Sequence, residues 1–434
     1  MKNTRALINL SYKIRGRKEL VHYNNFLEQQ NATIEELEEQ QLNAFLNLFE
    51  FTRKNTPYYS KLFKKLKLNK HDFKAISDLG KIPVLTKKII LENYNDFFPY
   101  TDTGRFVHGS TGGSTGEPLK YRMSIDDYSR GVALLYRGLE RSGYKLGDKL
   151  AIIAGGSLVK NKHSYIADIN NYILNFKPFS SYGMDEEILN NFYYNLKKWK
   201  PTYLRGYASS LALFADFCIK NNKEINFNSV FSTAEMLAPK QRLLIETAFN
   251  TKVFNNYGLN DGGISAYEND LHDGFIIDTE RSILEIVEEN KIENVMNQKG
   301  RILATSLYNY SFPFIRYDSG DVGSQIEQSN NRKKLINLGG RITDYIILND
   351  KVIGSPILTI LMGKVDAIKY QIIQKLNGSL EIRIIKGAKY DMKQELFISN
   401  SLNSNLGGNI EINFIYTDQF IQSKNKHKFI IKES

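Results

Sequence analysis

The chain has 434 residues, 42% of them apolar and 12% aromatic, and a net charge of +11. The length allows roughly two or three domains, and the apolar fraction is enough to build a core, which excludes wholesale disorder. Cys218 is the single cysteine, so an intrachain disulfide and a Cys-based zinc site are excluded, and a reducing, cytoplasmic location is expected.

No apolar run approaches the ~18 residues needed to span a bilayer, so no transmembrane segment is expected. The first twenty residues are basic but interleave Asn9, Lys13 and Arg15 with apolar positions, which does not make a signal peptide. That composition leaves a weak contact with an anionic membrane surface open. The lysines are scattered along the chain with no regular basic–aromatic stripe, so no nucleic-acid partner is expected. A mild positive excess suits anionic small molecules.

In chain order, Thr33 and Glu36 form a capping box for a helix over 33–54, with Leu37, Phe45, Leu46 and Phe49 on one side and Pro57 as its stop. Thr86 is the expected N-cap of a helix running to Asn93. A Gly/Ser/Thr loop at 109–116 precedes a helix over 126–142, and Leu150 to Ala154 reads as a buried strand. Helices are expected over 186–199, 209–220 and 239–249. Val230-Phe231 leads into a loop, and Val253-Phe254 is a short strand before Tyr257-Gly258. This alternation predicts α/β layering to about residue 260. Segments 274–279, 283–288 and 301–306 then read as strands of a β-rich subdomain. Near the end, Ile368, Tyr370 and Ile372 alternate, Asn377-Gly378 supplies a type I′ turn, and Leu380, Ile382 and Ile384 alternate back. A helix over 390–402 and a strand with Ile410, Ile412 and Phe414 complete a small α+β unit, with a boundary expected near Gly339–Asp344.

Residues 109–118 read G-S-T-G-G-S-T-G-E-P. Glycines let backbone N–H groups converge on an anion, and hydroxyls add donors without bulk. This is not the P-loop pattern, since no Lys follows Gly116; Lys120 lies four residues on. The six histidines have no zinc-ligand spacing, so no zinc is expected.

The 110–118 stretch resembles the phosphate loop of the adenylate-forming superfamily of acyl-CoA synthetases and adenylation domains. Other stretches resemble that family's motifs in the same order: S-T-A-E-M-L at 232–237, Y-G-L-N-D at 257–261, P-F-I-R-Y-D-S-G-D at 313–321 and G-G-R-I-T-D at 339–344. N-T-P-Y-Y at 55–59 and K-I-P-V-L-T-K at 81–87 resemble the phenylacetate–CoA ligase branch and its capsular-polysaccharide relatives. The likeness covers nearly the whole chain. It implies a large layered α/β N-terminal domain with a β-rich subdomain, residues 1–340, and a small mobile α+β domain, residues 341–434.

It also implies roles. Ser110, Thr111, Gly112, Gly113, Ser114, Thr115 and Gly116 would hold the β- and γ-phosphates of ATP. Ala234 and Glu235 would pack on adenine, and Tyr257, beside Gly258, would stack there. Asp321 would take the ribose hydroxyls and Arg341 would donate to the nucleotide. Asp261 would bind Mg²⁺ in place of the family's longer Glu, and Asn260 replaces a Thr near the α-phosphate. Arg205, Gly206 and Tyr207 resemble a stretch along the acyl pocket. His272 reads as structural. The C-terminal adenylation lysine aligns with Lys426, with Asn425 in place of the usual Gly, or with Lys428; Thr343 stands where the hinge acid is usual.

The implied activity is ATP-dependent activation of a carboxylic acid as an acyl-adenylate, with release of pyrophosphate. Transfer to an amine, hydroxyl or thiol follows, in capsule or surface-polysaccharide synthesis. An acid–CoA ligase using coenzyme A is the alternative. A catalytically weak nucleotide-binding scaffold is the alternative of another class.

Overall fold

The computed structural model describes residues 2–111, 119–154, 165–181, 184, 186–288, 293–327, 332–339, 345–348, 351–354, 358, 361–362, 364–387, 389–417, 422–423, 426–427 and 430–433. Helices α1 (Lys2–Ile14), α2 (Glu19–Glu28), α3 (Ile34–Asn55), α4 (Pro57–Leu66) and α5 (Lys87–Glu92) open the chain, followed by β1 (Phe106–Ser110), β2 (Lys120–Ser124) and α6 (Ile125–Glu140). Strands and helices then alternate: β3 (Leu150–Ala154), α7 (Tyr165–Leu174), β4 (Phe176–Ser180), α8 (Glu186–Trp199), β5 (Tyr203–Tyr207), α9 (Ala208–Lys220), β6 (Ser229–Thr233), α10 (Pro239–Phe249) and β7 (Val253–Gly258). A run of strands follows: β8 (Ser265–Glu268), β9 (Phe275–Ile277), β10 (Ser282–Val287), β11 (Lys299–Ser306), β12 (Tyr317–Glu327) and β13 (Lys333–Gly339). The last stretch holds β14 (Tyr345–Leu348), β15 (Lys351–Gly354), β16 (Ala367–Gln374), β17 (Leu380–Lys386), α11 (Met392–Leu406), β18 (Ile412–Tyr416), β19 (Gln422–Ser423), β20 (Lys426–His427) and β21 (Ile430–Lys432).

The chain forms two compact units. One comprises 1–111, 119–145 and 256–339. Its strands run in the order β10-β11-β12-β13-β9-β8, and β8 also pairs antiparallel with the end of β7. Its largest core is aromatic: Phe45 and Phe49 of α3, Phe63 of α4, Phe97, Phe312 and Phe314 are all fully buried. The predicted capping box starts α3, Thr33 accepting from Glu36 N–H and Glu36 from Thr33 N–H. Pro57 does end α3, but it also occupies the first turn of α4, where its missing N–H costs nothing. Buried charges are paired: Arg137 on α6 bonds Asp278 and Glu280, Arg281 bonds Asp127, and Arg316 bonds Glu285.

The other unit comprises 112–118, 146–255 and 340–434. Strands β6-β5-β3-β4 are parallel neighbours, the arrangement that strand–helix alternation predicts. Leu204, Leu211, Phe214, Val230, Ile245 and Phe249 fill the core between this sheet and α9 and α10. The C-terminal segment adds a sheet of order β18-β17-β16-β21. The expected β16–β17 hairpin is present, with Tyr370 opposite Ile384 and Ile372 opposite Ile382. Its turn differs from expectation: residues 375–379 form a longer loop in which Gly378 takes φ 84° and Asn377 accepts from Ser379 N–H. The Asn side chain thus closes an Asx turn instead of entering the left-handed region.

Three further expectations are corrected. Gly109 and Ser110 belong to β1, not to a loop. Val230-Phe231 sits within β6, which runs on to Thr233, and β7 continues through Tyr257-Gly258. In each case pairing with a neighbouring strand overrides the local signal. Among the described residues no helix is long and apolar enough to cross a membrane.

Candidate nucleotide-binding site

The first unit brings together several of the predicted residues. Strand β1 pairs with β2 in a register that sets Gly109 opposite Tyr121. A Cβ on Gly109 would lie 2.4 Å from the Tyr121 ring, so the ring crosses the strand only because the position is glycine. Beyond β1 the chain is tied: Thr111 N–H donates to Leu119 C=O at 2.9 Å, and Leu119 N–H donates to Thr111 Oγ1 at 3.0 Å. These bonds close the neck of segment 112–118. Gly112, Gly113, Ser114, Thr115 and Gly116 themselves lie outside the described residues, as do Arg341, Thr343, Asn425 and Lys428.

Asp321 is aimed by a bulge. Leu303 faces Asp318 and Arg301 faces Val322, so β12 carries extra residues where β11 advances two. Gly320 takes φ 80° there, Asp318 Oδ1 accepts its N–H, and Ser319 Oγ donates to Ile302 C=O while accepting from Asp321 N–H. Asp318 Oδ2 is held by Arg301 at 3.0 Å. The S-G-D sequence therefore builds a rigid corner, and the Asp321 side chain accepts from Tyr257 Oη–H at 2.9 Å. Burial, then the charge of Asp321 and, more weakly, that of Asp261, push the Tyr257 phenol well above its ordinary pKa. Burial and Asp261 do the same to Tyr121. Tyr257, Asp321, Ser319, Asp261 and Tyr121 thus share one electrostatic neighbourhood. Asn260 is exposed beside it.

Mg²⁺ is the metal that this chemistry implies. Among the described residues no group of three His, Cys, Asp or Glu could cage an ion. Mg²⁺ that arrives on substrate phosphates keeps most of its waters and asks the protein for only one or two carboxylates, the part that the resemblance assigns to Asp261.

The second unit holds Ala234 and Glu235. Ala234 has φ 64°, a left-handed conformation that costs an L-residue roughly 1–2 kcal/mol. Ser209 N–H, in the first turn of α9, donates to Glu235 Oε2 at 2.8 Å. The residue is partly exposed, yet Oε1 is fully covered and has no hydrogen-bond partner among the described residues. Burial pushes this carboxyl up to about 7, against the pull of Ser209. Among the described residues the buried hydroxyls of Ser210 and Ser232 also have no hydrogen-bond partner. These groups sit where β5 and β6 end, the side of a parallel sheet where ligands bind. Buried polar atoms without partners cost free energy, which a ligand's hydrogen bonds would recover.

The raised Glu235 pKa has a checkable sign. The folded state holds the proton to higher pH than the unfolded state, so this group's contribution to stability falls as pH rises from 4.5 through about 7. Glu235→Gln, neutral and still an acceptor for Ser209, removes that slope. In thermal melts the variant is expected to gain on the parent steadily between about pH 5 and pH 8. A difference that does not change with pH would show that the carboxyl is already ionised.

Gly206 and Tyr207 pair with Ser232 and Thr233 on β6, and Arg205 with Phe231. His272 contacts Glu268 through Nδ1 at 3.2 Å, on an exposed turn with φ 53°. Sequence reasoning missed Tyr121 and Ser319. Ser319 acts by holding Asp321 N–H, and Tyr121 packs over Gly109, a place that only the strand pairing reveals. Lys426 lies on β20, opposite Ser423.

No family model matches the chain. It is 27% identical over 384 residues to Protein CapK of Staphylococcus aureus, covering 82% of each chain. It is 21% identical to a phenylacetate-coenzyme A ligase of Aromatoleum evansii, over 74% of this chain and 73% of that one. Its fold matches 2-hydroxyisobutyryl-CoA ligase, crystallised with 2-HIB-AMP and CoA in the thioesterification state, at a TM-score of 0.67 and 17% identity, covering 94% of this chain and 92% of the other. Sequence and fold agree: the homologues of this chain include CapK and the phenylacetate-coenzyme A ligases, and its fold is that of the adenylate-forming ligases.

Proposed function

We propose that the chain is an AMP-forming ligase. A carboxylate oxygen of a small acid attacks the α-phosphorus of ATP, and pyrophosphate leaves. An amine, hydroxyl or thiol then attacks the acyl carbon of the adenylate, and AMP leaves. The observation that carries this reading is the bulge that presents Asp321 to Tyr257, in a fold shared with such ligases over nine-tenths of the chain.

In this reading Asp321 accepts from the ribose hydroxyls, and the tied neck at Thr111 and Leu119 holds the 110–116 segment against the β- and γ-phosphates. Ala234, Glu235, Tyr257 and Gly258 serve the adenine side, and Arg341 donates to the nucleotide. Asp261 and Asn260 flank the α-phosphate, and Mg²⁺ supplies charge neutralisation there. Residues 341–434 form the small domain that carries Lys426, or Lys428 in the other register, to the reacting carboxylate. The likeness to CapK favours an acceptor in capsule or surface-polysaccharide synthesis. The likeness to phenylacetate-coenzyme A ligases favours coenzyme A as the second reading.

Pyrophosphate–ATP exchange across a panel of carboxylic acids tests the first step. AMP release with and without coenzyme A separates the two acceptors. Millimolar ATP·Mg²⁺ should also raise the melting temperature, since linkage adds about 2.7 kcal/mol at a hundredfold excess over Kd. A thermal shift without exchange for any acid would favour the scaffold reading, and no shift in a folded protein would remove the nucleotide site altogether.

A further inference from the structure

Helix α1 has two apolar faces, and only one of them is used. Ile8 and Tyr12 are buried at 0% and 2% exposure, and the Tyr12 hydroxyl is hydrogen-bonded to that of Tyr136 on α6. The helix end is pinned as well. Arg105 donates to Arg15 C=O at 3.0 Å, and the Arg17 guanidinium lies 5.3 Å from the Tyr12 ring centre and 4.7 Å from that of Tyr128. The orientation of α1 on the first unit is therefore fixed. What it turns outward is Leu7 (58% exposed), Leu10 (55%) and Ile14 (77%). At 3.6 residues per turn these three fall within about 60° of one another, and about 150° from the buried face.

The charge of the segment that carries the stripe has one sign. Residues 1–18 carry Lys2, Arg5, Lys13, Arg15, Arg17 and Lys18, and the first acidic residue is Glu19. Glu19 is fully buried and bonded to Arg17, which neutralises that arginine and leaves the segment's charge on the other cations. Lys13 and Lys18 are exposed. Leucine and isoleucine in a row with lysines beside them make a helix that lies in a membrane interface, not one that crosses it.

We propose that α1 docks the enzyme on an anionic lipid surface. Leu7, Leu10 and Ile14 enter the headgroup–acyl boundary, and the flanking Lys13 and Lys18 meet lipid phosphates. Charge complementarity selects this occupant. Two copies of the helix face to face would set cation against cation, whereas an anionic bilayer satisfies the apolar stripe and the charge together. The inference is independent of the ligase reading, because none of these residues belongs to the candidate site.

Co-sedimentation of the full chain with vesicles tests it. The protein is expected to bind mixed phosphatidylglycerol–phosphatidylcholine vesicles, to bind pure phosphatidylcholine at least tenfold less well, and to lose binding as salt is raised. The triple variant Leu7→Gln, Leu10→Gln, Ile14→Gln and the double variant Lys13→Glu, Lys18→Glu should each lower partitioning about tenfold or more. All five positions are exposed, so melting temperature and ATP-dependent thermal shift should stay at parental values. Equal binding to both vesicle types, or parental binding by the triple variant, overturns the proposal. So does gel filtration showing a dimer that the triple variant dissolves, because the stripe is then an interface between copies. Retention on an acidic protein without affinity for anionic vesicles overturns it as well.

Discussion

Asp321→Ala is expected to weaken ATP binding by about 10- to 150-fold, the effect of losing a charge-assisted hydrogen bond worth roughly 1.5–3 kcal/mol. Asp318→Asn, three residues earlier, is the control. Both are aspartates of one bulge, but they do different things. Asp318 spends both oxygens inside the fold, on Arg301 and on Gly320 N–H. Asp321 accepts from the Tyr257 hydroxyl. Asp318→Asn should therefore lower the melting temperature more than it changes nucleotide affinity, while Asp321→Ala should do the reverse. Titration calorimetry with ATP·Mg²⁺, alongside melts of the free proteins, distinguishes the two. Equal losses of affinity at both positions would mean that the corner only supports the fold. Tyr257→Phe adds a second check, because it removes the donor to Asp321 and leaves the ring. A smaller loss of affinity than at Asp321 is expected.

That contrast was partly legible in the sequence. S-G-D at 319–321 marks a turn, and the resemblance singles out Asp321. The bulge is not legible, because it exists only in the register between β11 and β12, where long-range pairing decides which residues are extra. The same limit explains the other misses. β12 contains two glycines and its apolar positions do not alternate, so its pattern does not announce a strand of eleven residues. By contrast, β3 follows its predicted bounds as an unbroken apolar run, and α3, α8 and α10 follow theirs closely because each has a local stop or cap: Thr33 and Glu36 for α3, Pro201 after α8, Pro239 at the start of α10. In the candidate site the chemistry-bearing residues were readable one by one. Tyr121 was not, since its place depends on Gly109 across the ladder, and Glu235 was readable as a motif member but not as a carboxyl held near neutrality.

The tail carries the largest expected effect. If Lys426 is the adenylation lysine, its ammonium offsets negative charge that builds as the substrate carboxylate closes on the α-phosphate. That interaction strengthens toward the transition state, so its loss lowers turnover more than ATP affinity. Lys426→Ala is expected to slow pyrophosphate–ATP exchange by two or more orders of magnitude, about the 3 kcal/mol of one buried electrostatic stabiliser, with the ATP-dependent thermal shift nearly intact. Transfer from preformed acyl-adenylate should survive, because in this reading the small domain has carried the lysine away by then. Residue 426 lies on the short strand β20, opposite Ser423, and melts of the variant check that a loss of exchange is not a loss of fold. Lys428→Ala checks the register. If it abolishes exchange while Lys426→Ala does not, the tail is aligned two residues too early. If both variants retain exchange, the tail is a solvated basic end, and the Asn425 that stands where such enzymes have Gly is the reason to look for the catalytic cation elsewhere.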